Sequence, residues 1–191
     1  MARAYVMVEP PRSPIMLDYG AGFPDFIQGF EPAAVLPYLA DVARIERAWT
    51  EAYHAPEASP IDPKAFTTIA PDELPGMRLM LHPSLRVVRS EFPALTIWQM
   101  NVAGGIPAPV DPAAGGEDVL VVRPLADVEV RSIPEGSLEF IQALGDGRPV
   151  LAALEAALTA NSRFDLSGNL SDLLGAGALV GYRLAPDTRR P

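Results

Sequence analysis

Apolar positions along this chain switch between a helical period, short strand-like runs and stretches with no period. From Leu36 to Tyr53 the residues Tyr38, Val42, Ile45, Trp49 and Ala52 recur every three or four positions, while Asp41, Arg44, Glu46, Arg47 and Glu51 fall mostly off that stripe. This spacing predicts a helix with one apolar face, on which Trp49 is a core residue. Pro37 suits its first turn, and Pro56 blocks its continuation. Ahead of it, Gly22 to Phe30 predicts a short helix whose Phe23, Phe26, Ile27 and Phe30 form an aromatic face packed on the longer helix. Two helices make a thin N-terminal part.

Residues 55–75 are proline-rich and predict no more than single helical turns, at Asp62-Pro63 and Pro71-Asp72. Met77–Leu81 and Leu85–Ser90 then read as strands broken at His82-Pro83, and Pro93 opens a short helix through Asn101. The glycine- and proline-rich stretch at 102–117 has no apolar period and reads as an exposed, flexible loop. Val119–Val122 and Val128–Arg131 are β-rich and predict a hairpin. Three helical patterns follow: Gly136–Leu144, Val150–Leu158 and Leu166–Leu174, the last with Asp165 as N-cap and Gly175 as stop. Ala178–Leu184 closes the series as a strand.

The fold class expected is α+β. An N-terminal helical part (1–75) precedes a C-terminal winged-helix-like α/β module (76–191), whose second and third helices are spaced as a helix-turn-helix.

Composition narrows the function. The 191 residues are 49% apolar, enough for a packed core, and contain no cysteine, which removes disulfides and thiolate chemistry. The net charge of −9 is spread along the chain: residues 1–80 carry 6 basic and 11 acidic side chains, residues 81–191 carry 9 and 13. Neither half has the basic surplus that drives nucleic-acid affinity, so a nucleic-acid partner is not expected. The first residues lack the pattern of a signal peptide, and no window approaches the roughly 18 apolar residues of a membrane helix. The chain reads as cytoplasmic, with no membrane partner.

The search for chemistry leaves little. His54 and His82 are the only histidines, with no His-Glu-x-x-His and no ligand cluster, so hydrogen-bonded or capping roles are expected and no metal or cofactor is. Ser84 follows His82 by two residues without a nucleophile elbow and is expected to fix a turn. Gly20-Ala21-Gly22 lacks a dinucleotide fingerprint, and Lys64, the sole lysine, lies in no phosphate loop. Glu135 and Glu139, four apart, read as a solvated helix face. Trp98 suits either the core or an interface. No catalytic set emerges, so the chain is not expected to be an enzyme.

An ordered series of motifs carries a family resemblance. Tyr19-Gly20-Ala21-Gly22-Phe23-Pro24-Asp25-Phe26, Leu36-Pro37-Tyr38-Leu39-Ala40-Asp41-Val42-Ala43-Arg44, Ala52-Tyr53-His54-Ala55, and His82-Pro83-Ser84-Leu85-Arg86 through Phe92-Pro93 to Ile97-Trp98 resemble the HvfC/BufC family over about residues 2–184. The N-terminal region of that family carries an older DNA-binding label. The resemblance implies an accessory protein that works beside a multinuclear non-heme iron-dependent oxidase and helps present a precursor peptide to it. The partner would hold the iron. Relatives begin with further helices and a Tyr-Arg-Asn-type motif ahead of the segment matching Ala2-Arg3-Ala4-Tyr5-Val6. Their lack here implies a shortened member or a misassigned start.

The C-terminal module also resembles the winged-helix peptide-recognition elements of peptide-modifying pathways, which add an extended leader peptide to a sheet edge. That resemblance places the edge at Val128–Arg131 and the groove wall at Leu166–Leu174. The candidate binding residues are therefore Val128, Val130, Arg131, Leu170, Leu173 and Trp98, although plain core packing is the expectation for most of these leucines. A DNA-binding regulator is the alternative reading, opposed by the lack of any basic residue in Leu166–Leu174.

Overall fold

The computed structural model describes residues 1–14, 17, 19–102 and 108–184. Among them the elements run α1 (Ala2–Val8), α2 (Phe23–Gly29), α3 (Leu39–His54), β1 (Arg78–Leu81), β2 (Arg86–Ser90), α4 (Ala94–Val102), β3 (Glu117–Val122), β4 (Glu129–Ile133), α5 (Ser137–Gly145), α6 (Val150–Ala160), α7 (Leu166–Gly175) and β5 (Leu179–Arg183). The fold is α+β, with helices first and antiparallel strands and helices after them. Strands β2, β3 and β4 form one sheet in that order, and β1 pairs with β5 in a separate ladder. The closing strand expected after α7 is therefore present, but its partner is β1 and not the β3–β4 hairpin.

The continuous apolar run in β3 has a physical reason: the strand is covered on both faces. Val119, Leu120, Val121 and Val122 are each no more than 1% exposed. Val119 and Val121 pack with Ile45, Ala48 and Ala52 of α3 and Ala94 and Leu95 of α4. Leu120 and Val122 point the other way, into a cluster with Phe140, Ile141, Ala153 and Leu173 of α5, α6 and α7. Residues on both sides of position 75 thus share one apolar core. The proline-rich stretch joins the second cluster through Ile61 and Phe66, and the Ile61 N–H donates to the Leu179 carbonyl at 2.9 Å. Asp62 caps a 3-10 helix at Pro63–Thr68 by accepting from the Lys64 N–H.

Helix α3 is rotated from the stripe read in the sequence. Its buried positions are Ala40, Asp41, Ile45, Ala48 and Ala52, while Trp49 is 37% exposed and stacks on Tyr53 with ring centroids 5.5 Å apart. Asp41 goes inside because its charge is matched there. It accepts from the Ser90 hydroxyl of β2 at 2.6 Å and pairs with Arg44. At the end of α7, Gly175 is still helical, and the left-handed turn falls on Gly177 at φ +62, where a Cβ would lie 2.6 Å from Pro124. Of the loop expected at 102–117, residues 103–107 lie outside the described residues; Val102 ends α4, Asp111–Gly116 is exposed, and Glu117 opens β3.

The N-terminal helices close around one phenol. Tyr5 of α1 is 4% exposed, with ring centroids 5.0 Å from Phe23, 5.3 Å from Phe26 and 5.8 Å from Tyr19. The Phe face expected on α2 is thus completed by a residue from α1. Burial, and then the hydrogen bond from the Tyr5 hydroxyl to Glu9, push its pKa up to about 12. A folded value above the unfolded one stabilises the fold fully below the unfolded value of about 10 and is lost as pH rises through the folded value. Ultraviolet titration should therefore show one phenol ionising near pH 12, absent in Tyr5→Phe. Ionisation of all five tyrosines together near their ordinary value would contradict this packing.

Candidate functional site

Strand β4 is the edge of its sheet. It pairs with β3 from Asp118↔Ile133 to Val122↔Glu129, and among the described residues no other strand pairs with it. An edge strand keeps a row of backbone N–H and C=O groups free for another chain. The register sets Leu120 opposite Arg131 and Val121 opposite Val130, so Arg131 and Ile133 face the α5–α7 layer and Val130 faces α3 and α4.

Two clefts flank the edge. One, of about 160 Å³, lies between β4 and α7, lined by Leu120, Arg131, Ile133, Asn169, Asp172 and Leu173. The other, of about 520 Å³, lies beyond the end of β4 among Arg89, Glu91, Glu117, Asp118, Glu135 and Glu139. They meet at Ser132 and Ile133, which line both.

Each cleft is lined by a residue whose side chain has one buried acceptor without a hydrogen-bond partner among the described residues. Among the described residues the buried side-chain atoms without a hydrogen-bond partner are Asn169 Oδ1 and Glu139 Oε2. Asn169 is 5% exposed and spends its amide N–H on the Ser137 hydroxyl, leaving the oxygen over. An acceptor left without a partner away from water costs roughly 1–3 kcal/mol. Glu139 gives its other oxygen to Arg89 at 2.8 Å, and Arg89 is also held by both oxygens of Asp118. The solvated face expected for Glu135 and Glu139 is therefore different in kind: Glu135 precedes α5, and Glu139 is tied across to β2.

The Arg89 hydrogen bond holds the Glu139 carboxyl below its usual value, with burial opposing. Burial pushes Glu51 up, but hydrogen bonds from Arg47 and Arg86 outweigh it and hold that carboxyl below its usual value too. Depressed carboxylates stabilise the fold above their unfolded value and lose that contribution as pH falls through the folded value. Urea midpoints should thus fall as pH drops below about 4.5, and less steeply in Glu139→Gln. A midpoint unchanged by acid, or an equal slope in the variant, would contradict the pairing.

The six candidate residues divide between the sheet's faces. Arg131 and Leu173 line the β4–α7 cleft, and Leu170 packs partly buried in the cluster behind it. Val128, Val130 and Trp98 do not reach the cleft: Val130 takes the opposite face of the sheet, as alternate side chains of a strand do, and Val128 and Trp98, the latter on α4, pack on that same α3–α4 side. Asn169 and Glu139 were missed as a pair. In the sequence Glu139 stands out only beside Glu135, and Asn169 is one of several polar residues amid the leucines of Leu166–Leu174.

His82 and Ser84 do meet, at 2.8 Å between Nδ1 and Oγ. The pair is structural: Ser84 is wholly buried, its Oγ accepts from the Arg123 N–H, and its own N–H donates to His82 Nδ1. Nδ1 is then the acceptor nitrogen, and Nε2 faces the Ala58 carbonyl at 3.2 Å. His54 is exposed at the end of α3, edge-on to Tyr53. Among the described residues no group of three His, Cys, Asp or Glu side chains is placed to hold a metal ion, and no helix is long and apolar enough to cross a membrane.

Comparison with protein-family models, with curated proteins and with solved structures finds no match to the chain.

Proposed function

We propose that this protein is a non-catalytic, cytoplasmic adaptor that captures an extended precursor peptide at the free edge of β4 and presents it to a partner enzyme. One observation carries the reading: among the described residues the outer edge of β4 is unpaired and runs beside a cleft walled by α7. A peptide added there makes main-chain hydrogen bonds to β4, while its alternate side chains enter the cleft. The family resemblance of the motifs from Tyr19 to Trp98 supports a multinuclear non-heme iron oxidase as the partner. The chemistry then belongs to that partner.

Charge weighs against the DNA-binding alternative. Helix α7 has no basic side chain, Asp172 is exposed on it, and the cleft at the end of β4 carries Glu91, Glu117, Asp118, Glu135 and Glu139 around one paired arginine. Phosphates would be repelled there.

The test is co-expression of the full chain with the products of adjacent genes. Co-purification of an iron-containing enzyme, together with saturable binding of its precursor peptide, is the expected result. A chain that captures neither peptide nor enzyme, yet shifts duplex DNA at low salt, would overturn the proposal.

A further inference from the structure

The three-stranded sheet has two outer strands, β2 and β4, and they differ in charge. The charged residues of β2 are Arg86 and Arg89, both of one sign. Those of β4 are Glu129 and Arg131, two apart on one face and already joined as an ion pair. Among the described strands β4 alone carries both signs. Such a strand can complement itself. When it meets an antiparallel copy, the residue on the two-fold axis faces its own image, and its two neighbours face each other's images. With Val130 on the axis, Arg131 lies opposite Glu129 of the second copy, and Glu129 lies opposite that copy's Arg131. On the other face Val130 meets Val130 and Ser132 meets Val128, while Ile133 falls opposite Asp127 at the rim. Shifted registers lose this match. Centred on Arg131 the strand opposes two arginines, centred on Glu129 two glutamates, and centred on Ser132 it sets Glu129 against Glu135.

From this we infer that β4 is a self-association edge: two copies of this chain pair antiparallel about Val130 and join their three-stranded sheets into one. Glu129 and Arg131 of both copies then form a ring of four charges that alternate in sign. Backbone pairing satisfies the free N–H and C=O groups of both edges, and the charges select the register. A single five-residue strand is a small contact, so the association is weak, with a dissociation constant on the order of 100 µM. The edge therefore stays free in dilute solution. The inference does not rest on peptide capture, but both use one edge, so a captured peptide and a second copy exclude each other.

The test is sedimentation equilibrium of the full chain, from about tenfold below that constant to about tenfold above it. The weight-average mass should rise from 20.4 kDa toward twice that value. Arg131→Glu and Glu129→Arg each set like charges opposite one another and should weaken association by about tenfold or more. Mixed in equal amounts, the two variants should regain it, because each supplies the sign that the other lacks. The chain has no cysteine, so Val130→Cys introduces a single thiol, as does Ser132→Cys. Oxidation should cross-link the first and not the second, since only α-carbons facing each other on the axis lie within disulfide reach. Thermal melting confirms that each variant folds. A chain that stays monomeric at every concentration overturns the inference and leaves peptide capture standing. So does undiminished association of either charge variant, a mixture that does not recover, or cross-linking at Ser132 in place of Val130.

Discussion

Proline placed on the outer edge of β4 is expected to abolish peptide capture without unfolding the protein. Adjacent residues on an edge strand alternate, one directing its N–H to the neighbouring strand and the next directing it outward. Arg131 and Ser132 are such neighbours, paired with Leu120 and Val119. Proline at the inward-facing position removes a ladder hydrogen bond and destabilises the sheet. Proline at the outward-facing one leaves the ladder intact and removes a donor from the docking edge. Made in turn, Arg131→Pro and Ser132→Pro should separate: one loses stability, and the other keeps its melting temperature. The well-folded variant should bind peptide on the order of 100-fold more weakly, since a lost main-chain bond and ring clash fall on the same site. Titration calorimetry with a captured peptide is the measurement. A well-folded proline variant with unchanged affinity would contradict strand addition.

The largest expected loss of stability is at Arg123. Its side chain, 6% exposed, runs from the end of β3 to the end of α3, where it donates to the carbonyls of Ala52 at 3.1 Å and Ala55 at 2.7 Å. It also donates to the Leu125 carbonyl and to Glu57, each at 2.8 Å. Carbonyls at a helix C-terminus lack intrahelical partners and carry partial negative charge, so one buried guanidinium both satisfies and neutralises them. Arg123→Met fills the space but removes the buried donor to the Ala52, Ala55 and Leu125 carbonyls, with an expected cost of about 3 kcal/mol. For a chain of this size that lowers the melting temperature by roughly 6–12 °C. Glu57→Gln should cost little by comparison, because that carboxylate is 83% exposed and returns to water. Equal effects of the two substitutions in a thermal scan would contradict this division of labour.

The elements, their pairing and the candidate edge differ in how visible they are before the fold is known. The order of strands and helices was legible because apolar period alone marks it: β3 reads as a continuous apolar run, α5 and α6 as leucine-bearing helices, and Asp165 as a cap that does accept from the Gly168 N–H. Pairing was less legible. The choice of β1 as partner for β5 depends on residues a hundred positions apart, which no local period encodes. Trp49 and Asp41 were assigned to the wrong sides of α3 because periodicity weighs hydrophobicity, while the real α3 face is fixed by small alanines against β3 and by the hydroxyl of Ser90. Arg123 and Asn169 read as ordinary polar residues until the fold surrounds them. The candidate edge was half visible: Arg131 and Leu173 reach the cleft, whereas Val128 and Val130 face away by the alternation that makes β4 a strand.

Amide hydrogen exchange across Glu129–Ile133, measured with and without a captured peptide, tests the docking edge most directly. In the free chain the outward amides of β4 should exchange fast, and those paired with β3 slowly. Saturating peptide should slow the outward set and leave the exposed Trp49–Tyr53 face of α3 unchanged. Protection confined to α3, or no change along β4 while peptide is bound, would contradict strand addition at this edge.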